Sequence, residues 1–443
     1  MAIIAFHAEL DGDELGFPAL SKPEAAAAQP LPRSEANRSR PPIVVLVLVT
    51  AIAPASLHIL VPSLPLLALV FDAPPARVQL VLTLFLAGIA IGQLVYGPIS
   101  DRLGRRPVLI AGLAVFLAGT VLCGFAWYLP MLIVGRVLQA CGGCAGMVLG
   151  RAIVRDVFDR ERSASAIAVI TMAMSLAPSL SPAVGAYLAE WIGWRADFAL
   201  LGAVGAAILV VTTAKLEETH TGRASLGPAA MATSFVILLR SPAFRGFAIA
   251  TAFTSASWFT FLASAPYLLF ELLHEPPSTY GLMILLPMVG YVIGNAGVAR
   301  LSIPFGITRL YVFGLALSLA SGLMLAVWCL VDLTPWALFV PMAISSVGNG
   351  LSQPPGIAAG LSVNPRIAGA ASGLMGFLQM MIAAIGTFVI GQLPQTTPVS
   401  MVAVVGASLA LAFAFGLPAL RAPEGADHPL PTDRRRAGVV RRG

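Results

Sequence analysis

An all-α membrane protein, with twelve transmembrane helices in two pseudo-symmetric six-helix bundles, is expected here on three observations. The first is composition. Of 443 residues, 58% are hydrophobic and only 11% charged, whereas soluble domains average about 25% charged. Mean hydropathy of +0.86 agrees. The second is segmentation. A helix needs about 20 apolar residues to cross a bilayer. Twelve such runs occur, at 43–71, 78–98, 108–127, 130–150, 163–190, 197–216, 244–270, 279–300, 309–330, 334–357, 367–392 and 398–420. The third is an internal echo. Gly88-xxx-Gly92-Gln93 in helix two recurs as Gly290-xxx-Gly294-Asn295 in helix eight, and the same offset of 202 residues carries Gly104 onto Gly306. Glycine spacing alone also arises by chance in a chain with 42 glycines, so helix packing decides this point.

The parts follow in order. Residues 1–42 are polar and Pro/Ala-rich, with Glu9, Asp11, Asp13 and Glu14. They lack the basic start and short apolar core of a signal peptide and read as a disordered cytoplasmic tail. Residues 43–216 form the first bundle, 217–243 a central cytoplasmic loop, 244–420 the second bundle and 421–443 a basic tail able to touch anionic lipid. With the N-terminus inside, 24 of the 27 Lys and Arg fall in cytoplasmic segments. Only Arg77 and Arg195 fall outside, and Arg136 falls within a helix. Both termini are therefore expected in the cytoplasm. The net charge of +6 thus reflects topology and not a nucleic-acid surface. Cys123, Cys141, Cys144 and Cys329 all lie in apolar runs. The Cys141-x-x-Cys144 pair has no companion His or second pair, which favours packing over metal or thiol chemistry.

After helix two comes Gly97-Pro-Ile-Ser-Asp101-Arg102-Leu-Gly104-Arg105-Arg106-Pro107. Gly104 permits a tight reversal, and three arginines hold it inside. Asp101 sits at the electronegative end of helix two, where the dipole disfavours a carboxylate. It needs a cation or a helix N-terminus, and the start of helix eleven near Ala368–Gly369 is a candidate partner. Such a pair would form an inner gate between the halves; a solvated Asp in a topology turn is the alternative. This stretch resembles the loop-2/3 signature of the major facilitator superfamily. Gly135-Arg136-Val-Leu-Gln-Ala140, continuing to Gly150-Arg151 and Arg155-Asp156, looks like the helix-four motif of drug:H+ antiporters. Ala177-Pro178-Ser-Leu-Ser-Pro182-Ala-Val-Gly185 looks like the helix-five antiporter motif, and Trp194-Arg195-Ala-Asp-Phe198 matches the W-R-x-x-F that follows it. Together they resemble the bicyclomycin/chloramphenicol-resistance (Bcr/CflA) branch of twelve-helix multidrug efflux proteins. The resemblance implies a major-facilitator fold, a central cavity and alternating access driven by proton exchange.

No acidic residue lies in the middle of a predicted helix, although carboxylates at bilayer depth are common proton carriers. His58 stands in their place. Ser56-Leu-His58-Ile-Leu-Val-Pro62-Ser-Leu-Pro65 resembles the branch's S-x-D-x-x-x-P-x-x-P with His for Asp, roughly 22 Å along the helix and near the midplane. An imidazole titrates near physiological pH. His58 is read as a proton-coupling or substrate-contacting residue, or else as a neutral pocket histidine. Arg136 is read as a proton-relay or cavity residue, or else as a snorkelling side chain. Pro178 and Pro182 should bend helix five, and Gly142, Gly146 and Gly150 should allow close helix contact. Gln93, Asn295, Asn349, Gln353 and Gln379 are cavity candidates or interhelical glue. Trp258, Phe259 and Phe261 are pocket or core aromatics. No phosphate loop, metal cluster or nucleophile triad occurs, so neither an enzyme activity nor a cofactor or metal is expected. The expected function is secondary active efflux of amphiphilic, drug-like small molecules by proton antiport across the inner membrane, by a monomer in the lipid bilayer. The rivals are a same-fold metabolite or sugar carrier, a polytopic enzyme and a non-transporting receptor.

Overall fold

In a computed structural model, residues 43–157, 177–219 and 228–420 are described. They are helices and short turns, with no strand among them. Both tails, the first part of helix five with its preceding loop, and residues 220–227 lie outside this set, as do the expectations that fall on them. The spanning helices are α1 (Ile43–Val70), α2 (Pro75–Leu103), α3 (Arg105–Gly124), α4 (Leu129–Val157), α5 (177–191), α6 (Arg195–Lys215), α7 (Pro242–Leu272), α8 (Pro277–Phe305), α9 (Ile307–Val331), α10 (Pro335–Ser362), α11 (Pro365–Gln392) and α12 (Val399–Ala419). Ten of these are long and apolar enough to cross a membrane. The α10 helix has the length, but its Pro341, Pro354, Pro355, Asn349 and Gln353 dilute its apolar character. The central loop also contains a helix, Pro228–Arg240, which the polarity of that segment did not announce.

Glycines bring the helices of each half together. On α4, a methyl at Gly142 would meet the α3 backbone at Phe116, and one at Gly146 would meet the Val49 carbonyl of α1. The echo seen in the sequence is a packing repeat. Gly88 and Gly92 of α2 lie against Ala140 and Cys144 of α4, and Gly290 and Gly294 of α8 lie against Ala343 and Val347 of α10. Gly104 and Gly306 turn the chain into α3 and α9 at φ 95° and 80°, a region costly for any side chain. The end of the molecule bearing these turns is the motif end; the other, with the Gly193 turn, is the far end.

The halves meet along α2 and α11 in antiparallel register. Gln79 packs on Gly391, the Thr83 and Thr387 hydroxyls lie 2.9 Å apart, and Gln93 presses on Gly376. At the far end, α1 is interrupted by a 3-10 turn, Val61–Ser63, centred on Pro62. There the Tyr267 hydroxyl of α7 donates to the Leu64 carbonyl at 3.4 Å. Gly281 of α8 rests on Pro182, Ala183 and Ala186 of α5, while Gly185 of α5 rests on the Ile59 carbonyl. The far-end half of α7 is irregular too, with Pro266 followed by a π turn at Leu268–Leu272. The Pro228–Arg240 helix packs on α7 and α11, and its Met231 and Phe235 face Leu94 and Pro98 of α2 across a groove.

Candidate transport site and motif cluster

The motif turn knits one half together. Glu218, just beyond α6, accepts from the backbone N–H of Arg105 at 2.9 Å and of Arg106 at 3.2 Å. It thereby caps α3 where orphan donors and the positive dipole end favour an anion. The Arg106 guanidinium donates to the Leu216 carbonyl at 2.7 Å and the Thr213 carbonyl at 2.9 Å, closing the end of α6. Arg105 pairs with Asp101 at 2.6 Å and with Asp156 of α4 at 3.1 Å. Asp101 therefore has its cation one turn away in its own half. The start of α11 is not its partner here, and a methyl at Gly369 would meet nothing within 4 Å. Arg102 borders the groove beside the Pro228–Arg240 helix, and Gly97 faces open space. The sequence reading missed Glu218; its only signal was an acid closing a helix that ends in Thr and Lys.

Arg136 is 1% exposed and does not snorkel. Its guanidinium donates to the Ser56 carbonyl of α1 at 3.0 Å and the Ser56 hydroxyl at 3.1 Å. It also donates to the Gln139 side-chain oxygen and lies 4.0 Å over the Phe85 ring of α2. Gln139 in turn donates to Thr120 of α3 at 2.8 Å. Four helices thus share one buried guanidinium, with cation–π contact replacing part of its lost hydration. Asp197, in the first turn of α6, is fully buried. The sequence placed it among acids at helix ends; the packing of α6 on α1 and α3 encloses it. Neither of its carboxylate oxygens has a hydrogen-bond partner, nor does the Arg136 Nε.

His58 is 5% exposed and its Nδ1 lies 2.9 Å from the Pro54 carbonyl. Its ring faces Phe259 of α7 at 6.1 Å between centroids, across the boundary of the halves. Gln353 of α10 donates to Ser255 of α7 at 3.2 Å. Trp258, partly buried, lies beside Phe261, whereas Phe261 packs edge-on against Phe339 and belongs to the core. Asn349 accepts from Ser318 of α9 at 3.3 Å, and Asn295 donates to the Tyr291 carbonyl of its own helix at 2.9 Å. Neither of these bonds crosses between the halves. Gln93 sits at the α2–α11 contact, and Gln379 is half-buried on α11. Pro182 and Gly185 lie in the far-end contacts; Pro178 is near the start of the described part of α5, so a bend there falls outside the described residues. Cys144 seats against Gly92, and its thiol points to the Ile89 carbonyl at 3.4 Å.

The model of the Major Facilitator Superfamily matches residues 46–387. The chain belongs to the Major Facilitator Superfamily. It is a multi-pass membrane transporter and not an enzyme. Relatives include the bicyclomycin resistance protein homolog of Haemophilus influenzae, 25% identical over 83% of this chain and 93% of that protein. Multidrug resistance protein D of Escherichia coli is 27% identical over 80% and 89%. The chloramphenicol resistance protein of Pseudomonas aeruginosa is 26% identical over 78% and 83%. These names are those of the branch that the helix-four and helix-five motifs resemble. Among solved structures, an inward-facing bacterial homolog of the lysosomal transporter Spinster matches with TM-score 0.68 at 16% identity, covering 86% of this chain and 96% of its own. A D-xylose-proton symporter matches at 0.70 and 15%, covering 86% and 97%. Both are likenesses of fold.

Proposed function

We propose that this transporter exports amphiphilic, drug-like molecules from the cytoplasm across the inner membrane in exchange for protons. The observation that carries this reading is the similarity, over 78–83% of this chain, to three relatives whose names denote drug resistance. The boundary between the halves supports it, since the His58 and Phe259 rings face each other there. Such a lining suits amphiphiles better than sugars. In this reading His58 contacts the substrate, and the neutral side chain in place of an acid widens acceptance beyond cations. The motif end is cytoplasmic in this reading, which the charge bias supports, with both termini inside and the chain acting as a monomer. The halves, 43–216 and 244–420, rock against each other so that the far-end part of the α2–α11 contact, at Gln79 and Thr83, opens and closes, and the Arg105 network keeps the first half rigid while they do.

One proton moving through 100 mV supplies about 2.3 kcal/mol, enough for nearly two decades of drug gradient at ~1.4 kcal/mol per decade. The test uses purified protein in liposomes with an imposed pH gradient and labelled chloramphenicol or bicyclomycin. Accumulation that collapses when the gradient is dissipated is the expected result. Sugar accumulation with neither drug moved would replace this reading with the carrier one.

A further inference from the structure

We propose that Asp197 is the proton-carrying group of this transporter, enclosed at the start of α6 with Ser63 of the α1 turn and Arg136 of α4 as its polar neighbours. This rests on the reading of the chain as a proton-coupled exporter and names the residue that does the coupling. Three observations carry it. First, Asp197 is fully enclosed, yet its carboxylate has no close hydrogen bond, the Ser63 hydroxyl standing nearby at longer reach. Buried polar groups are nearly always satisfied, so an orphaned carboxyl marks a site with a task beyond packing. Second, its neighbours suit both forms of the acid. The Arg136 guanidinium is near enough to act on it electrostatically, with Nε unpaired, and the Ser63 hydroxyl, also unpaired, lies beside it. Arg136 draws the anion, and Ser63 offers an acceptor to the neutral acid.

Third, Ser63 lies in the segment that joins the halves at the far end. The Val61–Ser63 turn packs against α7 and α8, and the next residue, Leu64, receives the Tyr267 bond. Opening that contact moves the turn that covers Asp197. The carboxylate then binds a proton from water on the far side. After the halves rock back it returns the proton to water entering from the motif side and is again an anion facing Arg136. The other titratable or charged groups around this cluster are Cys123 of α3, whose thiol is turned to the Leu132 carbonyl, and Arg195. The latter donates to the Ala126 carbonyl at 2.9 Å and stacks on Trp194. His58 of α1 is turned to Phe259. None of these hydrogen-bonds to the Asp197 carboxyl.

The test is infrared titration of the full-length protein in lipid, with Asp197→Asn, Asp197→Glu and Asp101→Asn beside it. Among the neutral-acid carbonyl bands of the chain's 21 acidic side chains, one that rises and falls with pH should be missing in Asp197→Asn and kept in the wild type and Asp101→Asn. A band unchanged in Asp197→Asn overturns the proposal. In liposomes with a gradient of about one pH unit, the wild type should sustain about a tenfold chloramphenicol ratio for one proton exchanged. Asp197→Asn should equilibrate the drug without concentrating it, and Asp197→Glu should regain concentration. A tenfold ratio in Asp197→Asn overturns the proposal and leaves the exporter reading standing. A wild type that moves neither chloramphenicol nor bicyclomycin overturns the exporter reading, and the infrared band then decides Asp197 alone. If Asp197→Asn does not fold, Arg136→Gln replaces it. The pH of the titration should shift when the guanidinium is gone; an unchanged titration overturns the proposal.

Discussion

Single residues carry the functional chemistry, and Arg136 is the most exposed to test. Its guanidinium reaches Ser56 and Gln139 together while covering Phe85. An ammonium is a point charge and cannot present that planar fork. Arg136→Lys should lower drug efflux by at least about tenfold, and Arg136→Ala should cost about 3–5 kcal/mol by breaking a buried charged network. Thermal unfolding in detergent and vesicle transport measure the two effects. Replacement of His58 by Asn should alter which drugs are moved while leaving their dependence on the pH gradient intact, measured as accumulation ratios for several labelled compounds. Loss of gradient dependence in that variant would return the coupling role to His58. The sequence made His58 and Arg136 conspicuous because a polar group in an apolar run stands out. It hid Asp197, since a residue two positions after Arg195 reads as part of an exposed helix end until α6 is packed against α1 and α3.

Helices show why the motif works as a unit. The capping of α3 by Glu218 joins residues 113 positions apart, and no local pattern reports such a partner. Glu218→Ala should therefore lower stability by about 0.5–2 kcal/mol, as loss of a helix cap does, seen as a lower melting temperature. Glycine substitutions separate contact from open space. Gly146→Leu drives a side chain into the Val49 carbonyl and should cost about 1–3 kcal/mol. Gly97→Ala meets nothing within 4 Å and should be neutral or stabilising by up to about 1 kcal/mol. Helix positions were legible because lipid demands long apolar runs. The Pro228–Arg240 helix was not, since its interest lies in the neighbours it packs on.

At the scale of the molecule, two halves with the same glycine packing face each other along α2 and α11. The repeat was readable because close helix approach admits only small residues. The contact between the halves was not, and of the two kinds of partner open to Asp101, a cation or the start of α11, the structure shows the cation, Arg105 of the same half. The account depends on those halves parting at the far end during transport. Its most direct test places Thr83→Cys and Thr387→Cys, whose hydroxyls lie 2.9 Å apart, in a chain with Cys123, Cys141, Cys144 and Cys329 replaced. Gradient-driven chloramphenicol transport is then followed before oxidation, after it and after reduction. Transport that stops on oxidation and returns on reduction is the predicted result. Transport that continues unchanged through a closed disulfide would contradict the account.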